Sequence, residues 1–140
     1  MQGVFCFKKT LDRYIALRYY MYRGAIHRSG IEKEQIMDAH IKKVYVPMTE
    51  TGFYILLCLR KPNHGYGIVQ MVKEMTEGDI VLAPGTMYGS LSKMEKDGLI
   101  RFVREEEKRK IYSITDLGTE VLNLEMKRID RLYKNMKEMG

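Results

Sequence analysis

There is no tryptophan among these 140 residues, and there are only three prolines and two cysteines. Any ring-stacking surface must therefore be built from tyrosine and phenylalanine. Cys6 and Cys58 have neither the spacing nor the neighbours of a zinc site or a CxxC pair, so reduced thiols in a cytoplasmic protein are the expectation. Long apolar runs are missing too. The most hydrophobic stretch, "FYILLCL" at 53–59, falls well short of the ~20 residues that cross a bilayer, and no membrane association is expected. His64 in "HGYG" has no serine or cysteine placed as a nucleophile and no second ligand at metal spacing. No catalytic residue, metal or cofactor is therefore expected, and His64 and Gly65 read as a turn and cap with Tyr66 packed beneath a later helix.

What is present fits one modest domain: 45% hydrophobic and 30% charged residues leave enough apolar material for a core and enough charge for a solvated surface. The formal charge is +6, but it is unevenly spread. Residues 1–36 carry seven Lys/Arg against three Asp/Glu, whereas residues 37–140 carry seventeen against fifteen. Bulk charge thus gives the better organised part of the chain only weak support for a nucleic-acid partner.

The basic, tyrosine-rich first 36 residues admit three readings. Leu11, Ile15, Tyr19 and Tyr22 could line an added docking helix. The segment resembles an organellar transit peptide only loosely. The codons of Glu32-Lys33-Glu34-Gln35 can also contain a ribosome-binding AAGGAG shortly before Met37, which makes residues 1–36 a translated leader. The expected division is 1–36 as an extension, 37–115 as a compact domain and 116–140 as a terminal helix.

From Met37 on, Pro47 reads as the end of an extended approach, and Thr49 as the N-cap of a helix over about 50–60, buried on most sides. A second helix is predicted over about 65–76, with Ile68, Val69, Val72 and Met75 inward and Gly78 at C′. "DIVLA" at 79–83 reads as a short strand before Pro84, which opens a third helix. On that helix Met87, Leu91 and Met94 share one stripe. The opposite face carries Gly85, Gly89, Ser92, Lys93 and Lys96, flanked by Thr86 and Tyr88. Each interior glycine costs a helix about 1 kcal/mol relative to alanine, so a bare face needs a reason: a backbone that must approach another surface closely, whether DNA or a second helix. Gly98 closes the helix. "LIRFVREEEKRKIYSI" then alternates as a hairpin with Ile100 and Phe102 on one arm and Tyr112 and Ile114 on the other. Thr115 and Asp116 open a last helix over about 116–138, which places Leu122, Met126, Ile129, Tyr133 and Met136 in a 4-3-4-3 seam suited to a partner helix. Val121, Leu124 and Leu132 widen its apolar surface.

Three helices, a hairpin and a helix make a mainly α fold with a small β-hairpin, in the order of a winged helix-turn-helix followed by a dimerisation helix. "HGYGI" at 64–68, "GTMYGSLSKMEKDGLI" at 85–100 and "RKIYSITDLGTEVL" at 109–122 resemble the PadR family of bacterial transcriptional regulators, in its small subfamily with one short C-terminal helix. The resemblance implies a homodimeric repressor that binds double-stranded DNA at a pseudo-palindromic operator and is released by a small aromatic or apolar effector. Gly85, Thr86, Tyr88, Gly89, Ser92, Lys93 and Lys96 on the third helix are the candidate DNA contacts, with Lys108 and Arg109 on the wing. The acidic wing tip, Glu105–Glu107, argues against deep insertion into a minor groove. It also supports the alternative, a dimeric winged-helix module that binds protein rather than DNA.

Overall fold

The computed structural model describes residues 30–140, which form five helices and three strands in the order α1 (Gly30–Tyr45), α2 (Glu50–Cys58), β1 (Asn63–His64), α3 (Gly65–Met75), α4 (Pro84–Lys96), β2 (Ile100–Glu106), β3 (Arg109–Ile114) and α5 (Asp116–Met139). The chain divides into two compact units at residues 40 and 41. The unit Ile41–Gly140 carries the hydrophobic core and every candidate site residue. Cys6 and the helix expected around Leu11–Tyr22 lie outside the described residues.

Local chemistry starts most elements where the sequence predicts. Thr49 and Thr115 adopt extended backbone and accept N–H groups of Gly52 and Gly118 through their hydroxyls, both at 3.1 Å. Each satisfies one of the donors a helix start leaves open. His64 does the same for α3 with its imidazole, Nδ1 accepting from the Gly67 N–H at 2.9 Å. At the end of α4, Gly98 takes a φ of 79°. Its N–H goes to the Glu95 carbonyl, and that of Leu99 to Met94, the paired bonds of a Schellman close.

The core lies where α2, α3, α4, the base of the hairpin and the first turns of α5 meet. Ile55, Leu56, Leu59, Ile68, Val72, Leu82, Met87, Leu91, Met94, Leu99, Ile100, Val121 and Leu122 are all buried in it. At about 1.5–3 kcal/mol for each large apolar side chain buried, the Met87–Leu91–Met94 stripe is what seats α4. The hairpin pairs Ile100 with Ile114 and Phe102 with Tyr112, as its alternation predicts. Its two-residue loop, Glu107–Lys108, has φ of 49° and 62°, the positive pair a twisted hairpin favours. The Ile114 N–H then bonds the Leu59 carbonyl, tying the sheet to the end of α2.

Five features depart from the sequence reading. The approach to Pro47 is helical, not extended: α1 reaches Tyr45 and carries Lys42 and Lys43 in its last turn, where cations suit a helix dipole. That helix includes residues 36 and 37. "DIVLA" forms no strand, because the Thr76 hydroxyl takes the Ile80 N–H and the Thr76 carbonyl that of Asp79. The third strand is instead β1, whose Asn63 and His64 pair with Tyr112 and Ile111. Met75 has the right azimuth but stands at the open end of α3 and is exposed. Glu77, not Gly78, occupies C′ with φ 51°, and Gly78 follows it.

One buried charge stands in this frame. The Glu125 side chain is 2% exposed and receives both Nε and Nη2 of Arg128, at 2.9 and 2.7 Å. Those bonds, with a further one from the Met48 backbone, outweigh burial and hold the carboxyl below its ordinary range. A depressed carboxyl contributes stability above its unfolded-state value, near 4.5, and loses it as pH falls through the folded value. Urea titrations stepped downward from pH 5 should therefore show a shallower loss of stability in Glu125→Gln than in the unmodified chain. A second expectation concerns Gly118, where an added methyl would collide with the Leu99 carbonyl oxygen, an atom that cannot rotate aside. Gly118→Ala should lower the unfolding free energy by about 2 kcal/mol or more, measured by the same method.

Candidate nucleic-acid interface

On α4 the buried stripe and the outer face separate as predicted. Met87, Leu91 and Met94 are buried, whereas Gly85, Thr86, Tyr88, Gly89, Ser92, Lys93 and Lys96 lie on the opposite, outer side. A methyl built on Gly85 or Gly89 would meet nothing within 4 Å. No described part of the chain packs there, so these glycines are not explained by contacts within the fold. Gly65 is the packing glycine: a methyl on it would stand 2.7 Å from Met87 Cε and 3.1 Å from Tyr88 Cε1. It lets the start of α3 close on α4. Tyr88 is 56% exposed. Across the gap to the wing, burial first, then Glu95 and Tyr88, raise the Tyr112 hydroxyl.

Lys93 is tied down from two sides. Its ammonium lies 2.6 Å from Asp97 Oδ2 and 3.2 Å from the Tyr45 hydroxyl, with the Tyr45 ring 4.8 Å away. Tyr45 also donates to Asp97 at 2.7 Å. Burial pushes the Asp97 carboxyl up, but hydrogen bonds from Lys93 and Tyr45 outweigh it and the net shift is downward. Lysine has three N–H donors, so one remains for an outside acceptor, yet its charge is already matched. The Tyr45–Asp97 contact joins the end of α1 to the end of α4 and is invisible at a separation of 52 residues.

The wing has two chemically distinct faces because of a bulge. The pairing moves from Phe102–Tyr112 directly to Arg104–Ile111, leaving Val103 as the extra residue. Paired residues share a face and successive residues alternate. Phe102, Glu105, Lys110 and Tyr112 therefore share one face, and Phe102 and Tyr112 meet edge to face at 6.3 Å between centroids. Arg104, Glu106, Arg109 and Ile111 share the other. Without the bulge, Arg104 would fall on the face of Phe102. Arg104 Nε is held by Glu106, while the Arg109 guanidinium lies 5.6 Å from the centroid of the Tyr66 ring. Tyr66 in turn stacks on His64, with centroids 6.4 Å apart and planes 14° from parallel. Tyr66 is thus not packed beneath α4; it is 57% exposed beside the wing, because Gly65 brings the backbone itself against α4. Lys108 sits at the wing tip.

On α5, Leu122 is 2% exposed and belongs to the chain's own core, as does Val121, so Leu122 is not available to the seam expected for a partner. Met126, Ile129, Tyr133 and Met136 are exposed, joined by Leu124, Leu132 and Met139. Glu125, Arg128 and Tyr45 are the residues of the region that sequence spacing missed. An Arg three residues after a Glu is a weak local signal for such a pair; nothing local marks Tyr45. Among the described residues no group of His, Cys, Asp or Glu could hold a metal ion, and no helix is long and apolar enough to cross a membrane.

Comparison with known proteins agrees with this geometry. The model of the transcriptional regulator PadR-like family matches residues 55–124. The chain is 24% identical over 78 residues to the transcriptional regulator YqjI of Escherichia coli, a match covering 56% of this chain and 38% of that protein. It therefore spans well under half the length of that curated relative. Among solved structures, a PadR family transcription regulator from Clostridium difficile is 28% identical with a TM-score of 0.57, over 65% of this chain and 98% of that one. A PadR-like transcription factor from Bacteroides fragilis shares the fold at 22% identity and a TM-score of 0.54, over 77% and 97%.

The polar network at the end of α4 has a direct test. Tyr45→Phe removes a donor to Asp97 and should lower stability by about 1 kcal/mol. In the same variant, carbon-detected NMR titration should find the Asp97 carboxyl titrating at higher pH, since a bond that held it down is gone.

Proposed function

We propose that this chain, which belongs to the PadR-like family of transcriptional regulators, is a cytoplasmic, non-enzymatic repressor that binds double-stranded DNA as a homodimer. The observation that carries the reading is the outer face of α4: two glycines with open space before them, beside the exposed Thr86, Ser92 and Lys96. A bare helical backbone can approach a phosphodiester strand without collision, and the hydroxyls can bond phosphate or base edges. Gly85, Thr86, Tyr88, Gly89, Ser92, Lys93, Lys96, Lys108 and Arg109 are the proposed DNA contacts. Glycines read no sequence, so discrimination falls to Thr86, Ser92, Tyr88 and DNA shape.

The exposed stripe of Met126, Ile129, Tyr133 and Met136 is the proposed dimer seam, within 116–140 as the dimerisation segment. Two α4 helices would then enter successive major grooves about 34–36 Å apart on a pseudo-palindromic operator. A small aromatic or apolar effector would release the repressor by binding more tightly to a dimer whose helices miss that spacing. The second reading, a protein-binding winged-helix module, is favoured by the internal pairing of Lys93 with Asp97 and Arg104 with Glu106.

Footprinting on the DNA upstream of the protein's own coding sequence decides between them. Two protected half-sites that fade with added salt are expected; no protection at low salt would favour the protein-binding module. Ile129→Glu should convert the dimer to monomer in analytical ultracentrifugation and weaken operator binding at least tenfold. Lys96→Ala should weaken all duplexes alike and reduce the salt slope by about one.

A further inference from the structure

Tyr66 is a large aromatic side chain that contributes nothing to the core, yet its backbone lies between well-anchored neighbours. The residues on either side of it are glycines with close neighbours: a methyl on Gly65 would press on the Met87 and Tyr88 side chains, and one on Gly67 would meet the Asn63 side chain, which would have to move. His64, on which the ring stacks, is fixed three ways. Its backbone pairs with Ile111 in the sheet, its Nδ1 caps α3, and its own N–H bonds the Asn63 side chain at 2.8 Å. The ring therefore projects from a rigid base beside the wing.

Arg109 is the opposite case. It opens β3 directly after the turn, on a long side chain that carries about 2 kcal/mol of rotamer entropy when loose. Its cross-strand partner is Glu106, but that carboxylate is engaged by Arg104. The partner the structure gives Arg109 is the Tyr66 ring.

We propose that Tyr66 is a positioning residue that holds the Arg109 guanidinium beside the wing to receive a nucleic-acid phosphate, an inference that rests on the DNA-binding reading above. An arginine resting against a ring keeps the N–H groups at its planar edge available, and that edge matches two oxygens of a phosphate. A ring neutralises no charge, so Arg109 reaches the phosphate with its full positive charge, unlike Lys93 and Arg104. The ring contact also removes part of the ordering cost before DNA arrives. The bulge at Val103 places Arg104 and the Glu106 that pairs with it on the same wing face as Arg109.

The test measures binding of the full chain to a short fluorescein-labelled duplex of arbitrary sequence by anisotropy, across a salt series. Phosphate contacts are independent of sequence, so no operator need be known. Arg109→Ala should reduce the salt slope by about one. Tyr66→Leu should weaken binding about two- to fivefold, the range of an exposed cation–π contact, and Tyr66→Phe should bind like the unmodified chain because the ring is kept. The double variant Tyr66→Leu/Arg109→Ala should bind no more weakly than Arg109→Ala alone. Additive effects, or unchanged binding by Tyr66→Leu, overturn the proposal while leaving the DNA reading intact. Loss at Tyr66→Phe overturns it as well, since the hydroxyl would then be the contact. If the unmodified chain binds no duplex even at low salt, the DNA reading itself has failed and the proposal falls with it. Should Tyr66→Leu lower the unfolding midpoint, Arg109→Lys makes the comparison without touching α3. It keeps the charge and the slope but lacks the planar fork, and equal affinity to the unmodified chain would overturn the proposal.

Discussion

A single peptide, that of Leu99, sets the relation between α4, the wing and α5. Its N–H closes α4 onto Met94, its side chain is fully buried, and its carbonyl receives the Thr115 N–H at 3.0 Å. The Thr115 hydroxyl donates to the neighbouring Gly98 carbonyl at 2.6 Å while accepting from Gly118. Gly118 has no side chain, so the first turn of α5 rests directly on the Leu99 carbonyl. The end of one helix, the start of the hairpin and the seat of the last helix are thus one hydrogen-bonded knot. Moving any of the three moves the others, which is why α4 can leave a whole face uncovered without losing its orientation.

Much of this is legible in the sequence because it is periodic or local. The Met87–Leu91–Met94 stripe, the Ile100–Ile114 and Phe102–Tyr112 pairs and the threonine caps at 49 and 115 all follow from spacing within one element or between two adjacent ones. The failures share a different cause. "DIVLA" has strand composition, but the hydroxyl of Thr76, just upstream, takes the N–H a ladder would need. Leu122 sits in register with the α5 seam, yet only the fold reveals that the first two turns of that helix are already covered. Tyr66 reads as an inward residue because aromatic rings usually go there; Gly65 fills that place with backbone instead. Tyr45 and Asp97 meet across 52 residues, beyond the reach of any pattern.

The electrostatic character of the surface also differs from a simple count of cations. Lys93 is matched by Asp97 and Arg104 by Glu106, so two of the positive groups around α4 and the wing arrive already paired. Exposed pairs of this kind contribute little to stability. Their effect is on what lies nearby: they thin the long-range field and leave recognition to depend on contact geometry and on the few cations held by other means.

Gly85 and Gly89 show how such a surface stands toward selection for stability. Nothing in the described chain occupies the space in front of them, and neither has a backbone angle that only glycine can adopt. A laboratory search for heat-resistant variants would therefore replace both with alanine at no steric expense, gaining helix propensity and losing unfolded-state entropy together. At these two positions the chain is less stable than its own fold permits, and both lie on a single face of one helix.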